Sequence, residues 1–568
     1  MFSHEKIYIL FLTCTSFFSI SCSSFLEEDP RDGLLGDNAY STLPALYQNC
    51  VASLYNCVGS YKDSEGLQGT GRGIYDLNTF TTDEAIMPTR GGDWYDGGFW
   101  QGLYLHQWGV NSDAILNTWE YLFQSIKLCN YSLEQIEHFS ATHTDKELPA
   151  YKAEVRALRA MFYYYAMDLF GRIPLLVTSD AAGAEMKQIE RDKIFTFIVN
   201  ELQEAVPFLS EEKSNIPGEY YGRMTKPVAY FLLAKLMLNA EVYMDSDWTD
   251  GVFPDGRKIF FTVNGENLNA WKAAQYYCTQ ISQMGYQLEK DYSSNFAIFN
   301  ESSQENIFVI PMSKTLYTNQ MQYLFRSRHY NHAKAYGLGG ENGSSATLEV
   351  LQTFGYGTEK VDPRFDYCYF ADEVYDLQGN PILLDDGTPL VYYPEAIALD
   401  VSNSVYEQTA GARMKKYEVD NTALKDGKLM DNDIVLFRYA DVLLMMSEAK
   451  VRNNEDGTGE LNEVRARVGA SYREATLENL LDERQMELAW EGWRRQDLIR
   501  FRQFTRPYSF RPQLPGEENG YTTVFPIPEK VIVMNGVLNK IRGIDKLFYW
   551  IFLLGIFVVL CIDYKLFT

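Results

Sequence analysis

Helical periodicity over residues 151–170 limits the fold of this chain more than any other feature of its sequence. Apolar residues recur there at spacings of three and four, which places them on one face of an α-helix. The residues of this face are Val155, Leu158, Phe162, Tyr165 and Leu169. Gly171 and Pro174 follow and are expected to end the helix. Because such a face must be buried against other elements, the pattern favours a mainly helical fold.

Similar patterns recur along most of the chain. One covers residues 225–244, with Pro227 in the first turn, where its missing N–H is harmless. Further helices are expected at residues 112–138, 192–206, 268–285, 440–452 and 460–468, and from about residue 476. Helices of this length with short connections predict paired, stacked hairpins. Short β-rich segments are expected at residues 307–311, 390–393 and 522–528.

Residues 313–430 interrupt this helical pattern. The segment has few periodic helices and is rich in Gly, Asn, Asp and Tyr. It predicts an elaborate loop region carried by the helices, where ligand contacts are more expected than core contacts. The sequence contains no low-complexity linker, so one compact unit is the simplest domain organisation.

The composition excludes several classes of function. The chain has 51 Lys and Arg against 76 Asp and Glu, a formal net charge of −25. Such a surface repels polyphosphate, and since no local basic patch occurs we expect no nucleic-acid partner. No pair among the 6 histidines has the spacing of a metal site, so no metal or other cofactor is expected. With 15% aromatic residues, binding of neutral or polar ligands stays open.

The first 21 residues have the features of an export signal. His4 and Lys6 precede an apolar run over residues 7–20 that is too short to span a bilayer. Small residues then precede Cys22, as at a bacterial lipoprotein cleavage site, which predicts that Cys22 becomes the acylated first residue of the mature chain. Two or more acyl chains on one residue anchor a protein stably. An ordinary secretory signal is the alternative.

Residues 83–108 form the densest candidate ligand site. Glycines among their aromatic residues permit tight turns that leave large rings exposed. A ring laid on the C–H face of a sugar buries apolar area, while neighbouring polar groups bind the hydroxyls. The predicted glycan contacts here are Arg90, Asp93, Trp94, Tyr95, Asp96 and Trp100. The alternative is that Trp100, Tyr104 and Trp108, spaced by four, form the inner stripe of a helix.

A second candidate covers residues 317–336, after the β-rich segment at 307–311. The predicted glycan contacts here are Tyr317, Tyr323, Arg326 and Tyr330. Arg326 and Arg328 are suited to the carboxylates of an acidic glycan, or else pair with acids of this chain. His329 and His332 could ligate a metal only with a third ligand, which the sequence does not supply.

The segment 482–502 is rich in charged residues, and its carboxylates could be taken for a catalytic pair. Glu483, Glu487 and Glu491 fall four residues apart among several arginines. Ion pairs on one helical face explain the spacing more simply than catalysis, although pairs of glutamates serve in glycosidases. No motif of a serine hydrolase, a phosphate loop or a dinucleotide site occurs in the sequence.

Several short motifs, taken in their order, resemble one known family. They lie at residues 25–30, 153–160 with 170–175, 222–226 with 233–235, 437–444 with 447–449, 483–498 and 526–528. The resemblance is to the SusD/RagB family of outer-membrane, nutrient-binding lipoproteins, and it spans residues 22–540. It implies a mainly α, tetratricopeptide-like helical-hairpin scaffold with long loop-rich ligand-binding insertions and a few short β-strands.

The resemblance also implies a function. Such a protein is lipid-anchored on the outward face of the cell outer membrane, where it binds glycans without catalysis and passes them to a SusC-like TonB-dependent transporter. Family members carry ligand residues in the region of Arg90, Trp94 and Tyr95, and in the loop after residues 307–311. Two alternatives stay open: a secreted glycoside hydrolase acting on polysaccharide, and a helical-repeat scaffold whose only ligand is a protein.

The apolar run within residues 541–568 departs from the family pattern. It is shorter than a usual transmembrane span. Family members commonly end in a motif like Asn-Pro-Gly-Tyr, and deleting one A from AAT CCG GGG TAT TGA gives codons for Ile-Arg-Gly-Ile, which is the sequence after Lys540. We therefore hypothesise that residues 541–568, an apolar tail, are out-of-frame readthrough or a spurious transmembrane segment.

Overall fold

The computed structural model describes residues 39–59, 62, 64–181, 186–316 and 326–538, and helices dominate this part of the chain. The helices are α1 (Leu43–Cys50), α2 (Tyr55–Gly59), α3 (Ile74–Thr79), α4 (Phe99–Tyr104), α5 (Asp113–Ser140), α6 (Leu148–Phe170), α7 (Arg191–Ala205), α8 (Lys226–Leu238), α9 (Ala240–Tyr243), α10 (Ala270–Gln283), α11 (Tyr330–Ala335), α12 (Leu348–Phe354), α13 (Arg364–Cys368), α14 (Tyr439–Arg452), α15 (Thr458–Arg467), α16 (Leu477–Glu487), α17 (Arg494–Arg500) and α18 (Glu529–Asn535). The predicted mainly α fold is confirmed.

The strands are short and pair two by two. They are β1 (Ala85–Ile86), β2 (Ile173–Pro174), β3 (Gln188–Ile189), β4 (Phe260–Val263), β5 (Glu266–Asn269), β6 (Asn306–Ile310), β7 (Ser345–Ala346), β8 (Tyr369–Phe370), β9 (Asp372–Glu373), β10 (Val391–Tyr392), β11 (Arg413–Met414) and β12 (Ile434–Arg438). The antiparallel pairs are β1–β7, β2–β3, β4–β5, β6–β12, β8–β11 and β9–β10. In the pair β6–β12, Ile310 lies opposite Ile434 and Val309 opposite Val435.

The long helices pack side by side around one core. Helix α6 lies between α5 and α7, and α10 lies between α8 and α14. Helix α14 also contacts α15 and α16. Side chains such as Leu158, Phe162 and Leu232 are completely buried in this core. The stacking of paired helices expected from the periodicity is therefore present, because each apolar face is covered by a neighbouring helix.

Most predicted boundaries agree with the structure, and two do not. The helix expected at 225–244 divides into α8 and α9 at Asn239, whose backbone leaves the helical range with φ −97° and ψ 13°. The strand expected at 522–528 is wrong. Tyr521–Thr523 form a 3₁₀ turn, and the extended residues after it pair with no strand in the described ranges.

The segment 313–430 is the predicted loop region. Its helices α11, α12 and α13 have seven residues or fewer in the part that the structure describes. Within the described ranges, no helix is both long enough and apolar enough to cross a bilayer. The predicted export signal, Cys22 and residues 541–568 lie outside those ranges.

A buried network of arginines and glutamates ties the loop region to the helical scaffold. Glu487, at the end of α16, accepts hydrogen bonds from Arg364 at 2.9 Å and from Arg438 and Arg467. Burial opposes ionisation of Glu487, but the three arginines outweigh it and hold the pKa of this carboxyl well below its usual range. Glu491 pairs with Arg438 and Lys416 in the same way.

The acids of the segment 482–502 therefore have structural roles. Glu483, Glu487 and Glu491 are at most 4% exposed. The predicted ion pairs are present, but the expectation that they lie on one helical face is wrong, because the partners lie on other elements than the helix itself. These pairs are buried because several elements meet at α16, which the spacing of the glutamates alone does not reveal.

Candidate functional site

The loop before α4 is held in a tight and strained conformation. Between Arg90 and Asp93 two backbone N–H···O=C bonds of 3.0 Å close a turn. Trp94 follows with a φ of 63°, which is uncommon for a bulky residue. Its indole N–H donates a hydrogen bond to the carbonyl of Glu341 at 2.9 Å. The contact with the segment around residue 341 thus fixes the loop in this conformation.

The same loop presents a ring to solvent. Tyr95 is 58% exposed, and Asp93 is exposed beside it. Trp94 is half-buried, and its indole packs so closely on Gly343 that a Cβ there would lie 2.9 Å from Trp94 Cε2. The loop therefore leaves Trp94 half-buried and Tyr95 largely exposed.

Tyr330 joins this loop from the second predicted segment. It is the first residue of α11 and is 42% exposed. Its hydroxyl donates a hydrogen bond to Asp93 Oδ2 at 2.8 Å. Four predicted contact residues thus lie together, and we name the group formed by Asp93, Trp94, Tyr95 and Tyr330 the loop surface. Their role as glycan contacts stays a prediction.

Trp100 does not belong to the loop surface. It is 4% exposed and packs edge-to-face on Phe80 and Trp94, at centroid distances of 5.4 and 5.8 Å. Gly98, with a φ of 85°, turns the chain so that α4 begins at once and directs Trp100 inward. The prediction that Trp100 offers its ring to a sugar is wrong, and the alternative of an inner helical stripe holds for Trp100 and Tyr104.

The indole N–H of Trp100 donates a hydrogen bond to Asp96 Oδ2 at 2.9 Å. Asp96 is itself exposed and lies 3.4 Å from Arg72 through the same oxygen. This carboxylate therefore steadies the start of α4, and its role as a glycan contact stays a prediction.

Two predicted arginines are buried and anchor the loops from inside. Arg90 is 2% exposed and donates hydrogen bonds to the carbonyls of Glu407 and Ala410, both at 2.8 Å. Arg326, also 2% exposed, binds Asp76 at 2.8 Å and the carbonyl of Thr70 at 2.6 Å. The prediction that Arg90 and Arg326 contact a glycan is wrong, because their guanidinium groups are occupied in fixing loops of this chain.

The other predicted residues have varied outcomes. Tyr317 and Tyr323 lie outside the described residues, so their role stays a prediction. His332 is buried against the hydroxyl of Tyr392, and no group of three or more potential metal ligands occurs among the described residues. Cys50 and Cys57, close enough in sequence to pair, are free thiols here.

Sequence reasoning missed a cavity of about 1110 Å³ at the other end of α11. Tyr336, which follows the last residue of α11, lines it together with Tyr356, Tyr375, Tyr393 and Tyr406. All five tyrosines fall in the segment predicted to form ligand-binding loops, so the composition indicated the region. The individual rings could not be chosen from the sequence, because they are up to 70 residues apart and meet only in the folded loops.

Comparison with known families gives two matches. Residues 304–543 match the model described as "SusD family". Residues 65–238 match the model described as "starch-binding associating with outer membrane". The first model covers the loop region and the helices after it, and the second covers α3 to α8 of the helical scaffold.

Two relatives are similar along most of the chain. The sequence is 26% identical over 517 residues to the starch-binding protein SusD of Bacteroides thetaiotaomicron, covering 84% of this chain and 86% of that protein. It is 24% identical over 558 residues to the SusD-like protein P25 of Formosa agariphila, covering 92% and 95% respectively.

Solved structures share the fold. The surface glycan-binding protein A of Bacteroides thetaiotaomicron superposes with a TM-score of 0.67 at 18% identity, covering 89% of this chain and 99% of that one. A structure of that protein in complex with laminarihexaose gives a TM-score of 0.65 at 19% identity, covering 87% and 98%. At such identities these structures establish a common helical scaffold with loop-rich insertions.

Proposed function

The chain belongs to the SusD/RagB family, and on that premise we propose that it is a non-catalytic glycan-binding protein of the cell surface. Its relative SusD is named as a starch-binding protein, and a protein of the same fold has been solved in complex with laminarihexaose. In this chain the proposed contact site is the loop surface.

The observation that carries the proposal is a pair of exposed rings near Asp93: Tyr95 lies two residues after it, and the Tyr330 hydroxyl donates a hydrogen bond to it. A sugar that covers ~60–100 Å² of one ring gains about 1.5–2.5 kcal/mol before ordering costs. Asp93 Oδ2 is occupied by the Tyr330 hydroxyl, which leaves Oδ1 to accept a hydrogen bond from a sugar hydroxyl. The loop is fixed by the bond from Trp94 to Glu341, so little is lost in ordering it.

The distribution of carboxylates supports binding without hydrolysis. A glycosidase needs two accessible carboxyl groups, one of which stays protonated near neutral pH. Burial raises the pKa of Glu84 and of Asp433 to about 7, but each residue is 1% exposed and out of reach of a glycosidic bond. Asp93, the one acid of the loop surface, is exposed and accepts a hydrogen bond from the Tyr330 hydroxyl.

The proposal extends to the place of the protein in the cell. Acylation of Cys22 would hold it on the outer face of the outer membrane, as the family model "starch-binding associating with outer membrane" supports. There it would deliver captured oligosaccharides to a SusC-like TonB-dependent transporter. Capture followed by release requires modest affinity, which two or three rings supply.

The test compares a double variant with a matched control. Tyr95→Ala with Tyr330→Ala should abolish retardation in affinity gels that contain the polysaccharide selected on a glycan array. Tyr472→Ala removes a tyrosine that is 75% exposed outside the loop surface, and it should migrate like the wild type. Unchanged retardation of the double variant would contradict the proposal.

Two further measurements address the alternatives. Sustained release of new reducing ends from the bound polysaccharide would favour a glycoside hydrolase. Co-purification of the transporter without any glycan retardation would favour a scaffold that binds only protein.

A further inference from the structure

The cavity beyond α11 has a closed floor and an open rim. Phe365 and Tyr369 form the floor, each 2% exposed and stacked with ring centroids 5.1 Å apart. At about 1110 Å³ the cavity is large enough for a small oligosaccharide. It does not include any residue of the loop surface.

Three exposed tyrosines stand at the rim of the cavity. Tyr375 is 46% exposed, Tyr393 43% and Tyr406 38%. The rings of Tyr393 and Tyr406 contact each other at a centroid distance of 4.9 Å and an angle of 53°. Tyr336 donates a hydrogen bond to the carbonyl of Tyr375 at 3.0 Å and so fixes the position of that segment. The rim therefore offers ring faces in a held arrangement.

The charge around these rings is strongly negative. Four exposed carboxylates line the cavity: Asp366, Asp372, Glu373 and Glu395. One cation, Lys415, lines it too, with its ammonium 5.5 Å from the ring centroid of Phe370. Asp372 accepts a hydrogen bond from the Tyr356 hydroxyl at 2.9 Å. Asp366 and Glu395 make no side-chain hydrogen bond or ion pair with the described part of the chain, so their charges are available to a ligand.

We infer that this cavity is a second carbohydrate site and that it takes an amine-bearing oligosaccharide. Ring faces and carboxylates both attract an ammonium group, the first through the π-cloud and the second through charge. The same carboxylates repel the uronate or sulfate groups of acidic glycans. The polar atoms of the rim can form hydrogen bonds with sugar hydroxyls, and its rings can pack against the C–H faces, as at other carbohydrate sites.

This inference deepens the proposed function and depends on it only in treating exposed rings as sugar platforms. The two sites can be tested separately, since they share no residue. Glycan binding that does not depend on the loop surface would contradict the proposed function, and absence of amine selectivity in the wild type would contradict the present inference.

The experiment is isothermal titration calorimetry on the full-length protein in detergent at low salt. The probes are the trisaccharide of β-1,4-linked glucosamine, its fully N-acetylated form and trigalacturonate. We expect the amine form to bind about three- to ten-fold more tightly than the acetylated form, with trigalacturonate weaker than both. Equal affinities, or the tightest binding by trigalacturonate, would overturn the inference.

Variants test whether the preference for the amine form arises at the cavity. Asp366→Asn with Glu395→Gln should reduce the ratio of the two affinities to about one, and Tyr393→Ala should weaken both neutral and amine forms. Glu266→Gln with Glu474→Gln removes the same charge from exposed positions outside the cavity and should leave the ratio unchanged.

Two results would count against the cavity. If the Asp366 and Glu395 variant keeps the preference, the amine is bound elsewhere and the inference fails. If the double variant Tyr95→Ala with Tyr330→Ala abolishes amine binding, the loop surface holds the amine and the inference also fails. Retention of amine binding by that variant supports the cavity.

Discussion

The hydroxyl of Tyr330 donates a hydrogen bond to Asp93 Oδ2 at 2.8 Å, across 237 residues of sequence. Each residue comes from one of the two segments that the sequence marks for ligand contact. The bond therefore brings the two predicted segments together in one surface. It also orients the exposed Asp93 carboxylate by holding one of its oxygens.

This relationship leads to a first prediction. Tyr330→Phe keeps the ring but removes the bond to Asp93, whose net value is about 0.5–1.5 kcal/mol. We expect glycan affinity to fall by about two- to ten-fold, and Tyr330→Ala, which also removes the ring, to lower it further. Calorimetry with the array-selected oligosaccharide measures both. Equal affinities for the Phe and Ala variants would show that the ring contributes nothing.

A second prediction separates a core ring from a surface ring. Trp100→Ala should lower the free energy of unfolding by about 3–5 kcal/mol, because it leaves a cavity between Phe80 and Phe99. Tyr95→Ala, in the loop before α4, should change the free energy of unfolding by less than about 0.5 kcal/mol. Chemical denaturation followed by circular dichroism gives both values. A stable Trp100→Ala variant would contradict the burial of this side chain.

A third prediction concerns pH. The backbone N–H of Trp490 donates to Glu84 Oε1 at 2.7 Å, and burial raises the pKa of Glu84 to about 7. The unfolded chain releases this proton near pH ~4.3, so between that pH and 7 the native state binds more protons and stability falls as pH rises. Glu84→Gln keeps the acceptor without the titration.

Relative to Glu84→Gln, the wild type should lose roughly 3 kcal/mol of unfolding free energy between pH ~4.5 and 7, and the difference should level off above pH 7. Denaturation series at several pH values measure it. Glu266→Gln, an exposed control on β5, should follow the wild type. Parallel curves for the wild type and Glu84→Gln would exclude a raised pKa at this site.

A fourth prediction addresses the buried ion network. Glu487→Gln removes the negative charge that pairs with Arg364, Arg438 and Arg467. It should lower the free energy of unfolding by about 3–5 kcal/mol. Because the pKa of Glu487 is lowered in the native state, its contribution is present above pH ~4.3 and is lost as pH falls towards the native value.

The wild type should therefore show an acid-induced loss of stability that Glu487→Gln lacks. Glu478→Gln, on the exposed side of the same helix, is the matched control and should keep the acid dependence. If Glu478→Gln and Glu487→Gln are equally stable, the network does not stabilise the fold.

A fifth prediction concerns the N-terminal anchor. Cys22→Ser should abolish incorporation of labelled palmitate and release the protein from the membrane fraction, because the acylated thiol is removed. Cys57→Ser keeps the predicted lipidation site and should remain labelled. Continued labelling of the Cys22→Ser chain would favour an ordinary secretory signal.

The sequence was sufficient for the helical scaffold. The pattern at 151–170 predicted α6, which runs over Leu148–Phe170, because an apolar stripe with a period of 3.6 residues can be buried only as a helix. The same argument located α5, α7, α10, α14 and α15 to within a few residues. Such helices can be predicted because their periodic pattern lies entirely within the segment that forms them.

The candidate site depended on tertiary structure. Trp94, Tyr95 and Trp100 lie within seven residues of one another and look equivalent in sequence, yet only Tyr95 is mostly exposed. Their difference arises from φ values at residues 94 and 98 and from the contact with Glu341, far along the chain. Arg90 and Arg326 were likewise predicted to contact a ligand, but both are buried. Arg90 binds a distant carbonyl and Arg326 binds Asp76.

The amino-acid sequence by itself determined the helices, the loop-rich insertion and the family to which the chain belongs, because these depend on patterns along the chain. Only the tertiary structure decided which rings face solvent and which acids are neutralised inside. Exposure depends on what packs against a side chain, and for Tyr95, Trp100 and the five tyrosines of the cavity those neighbours come from distant segments.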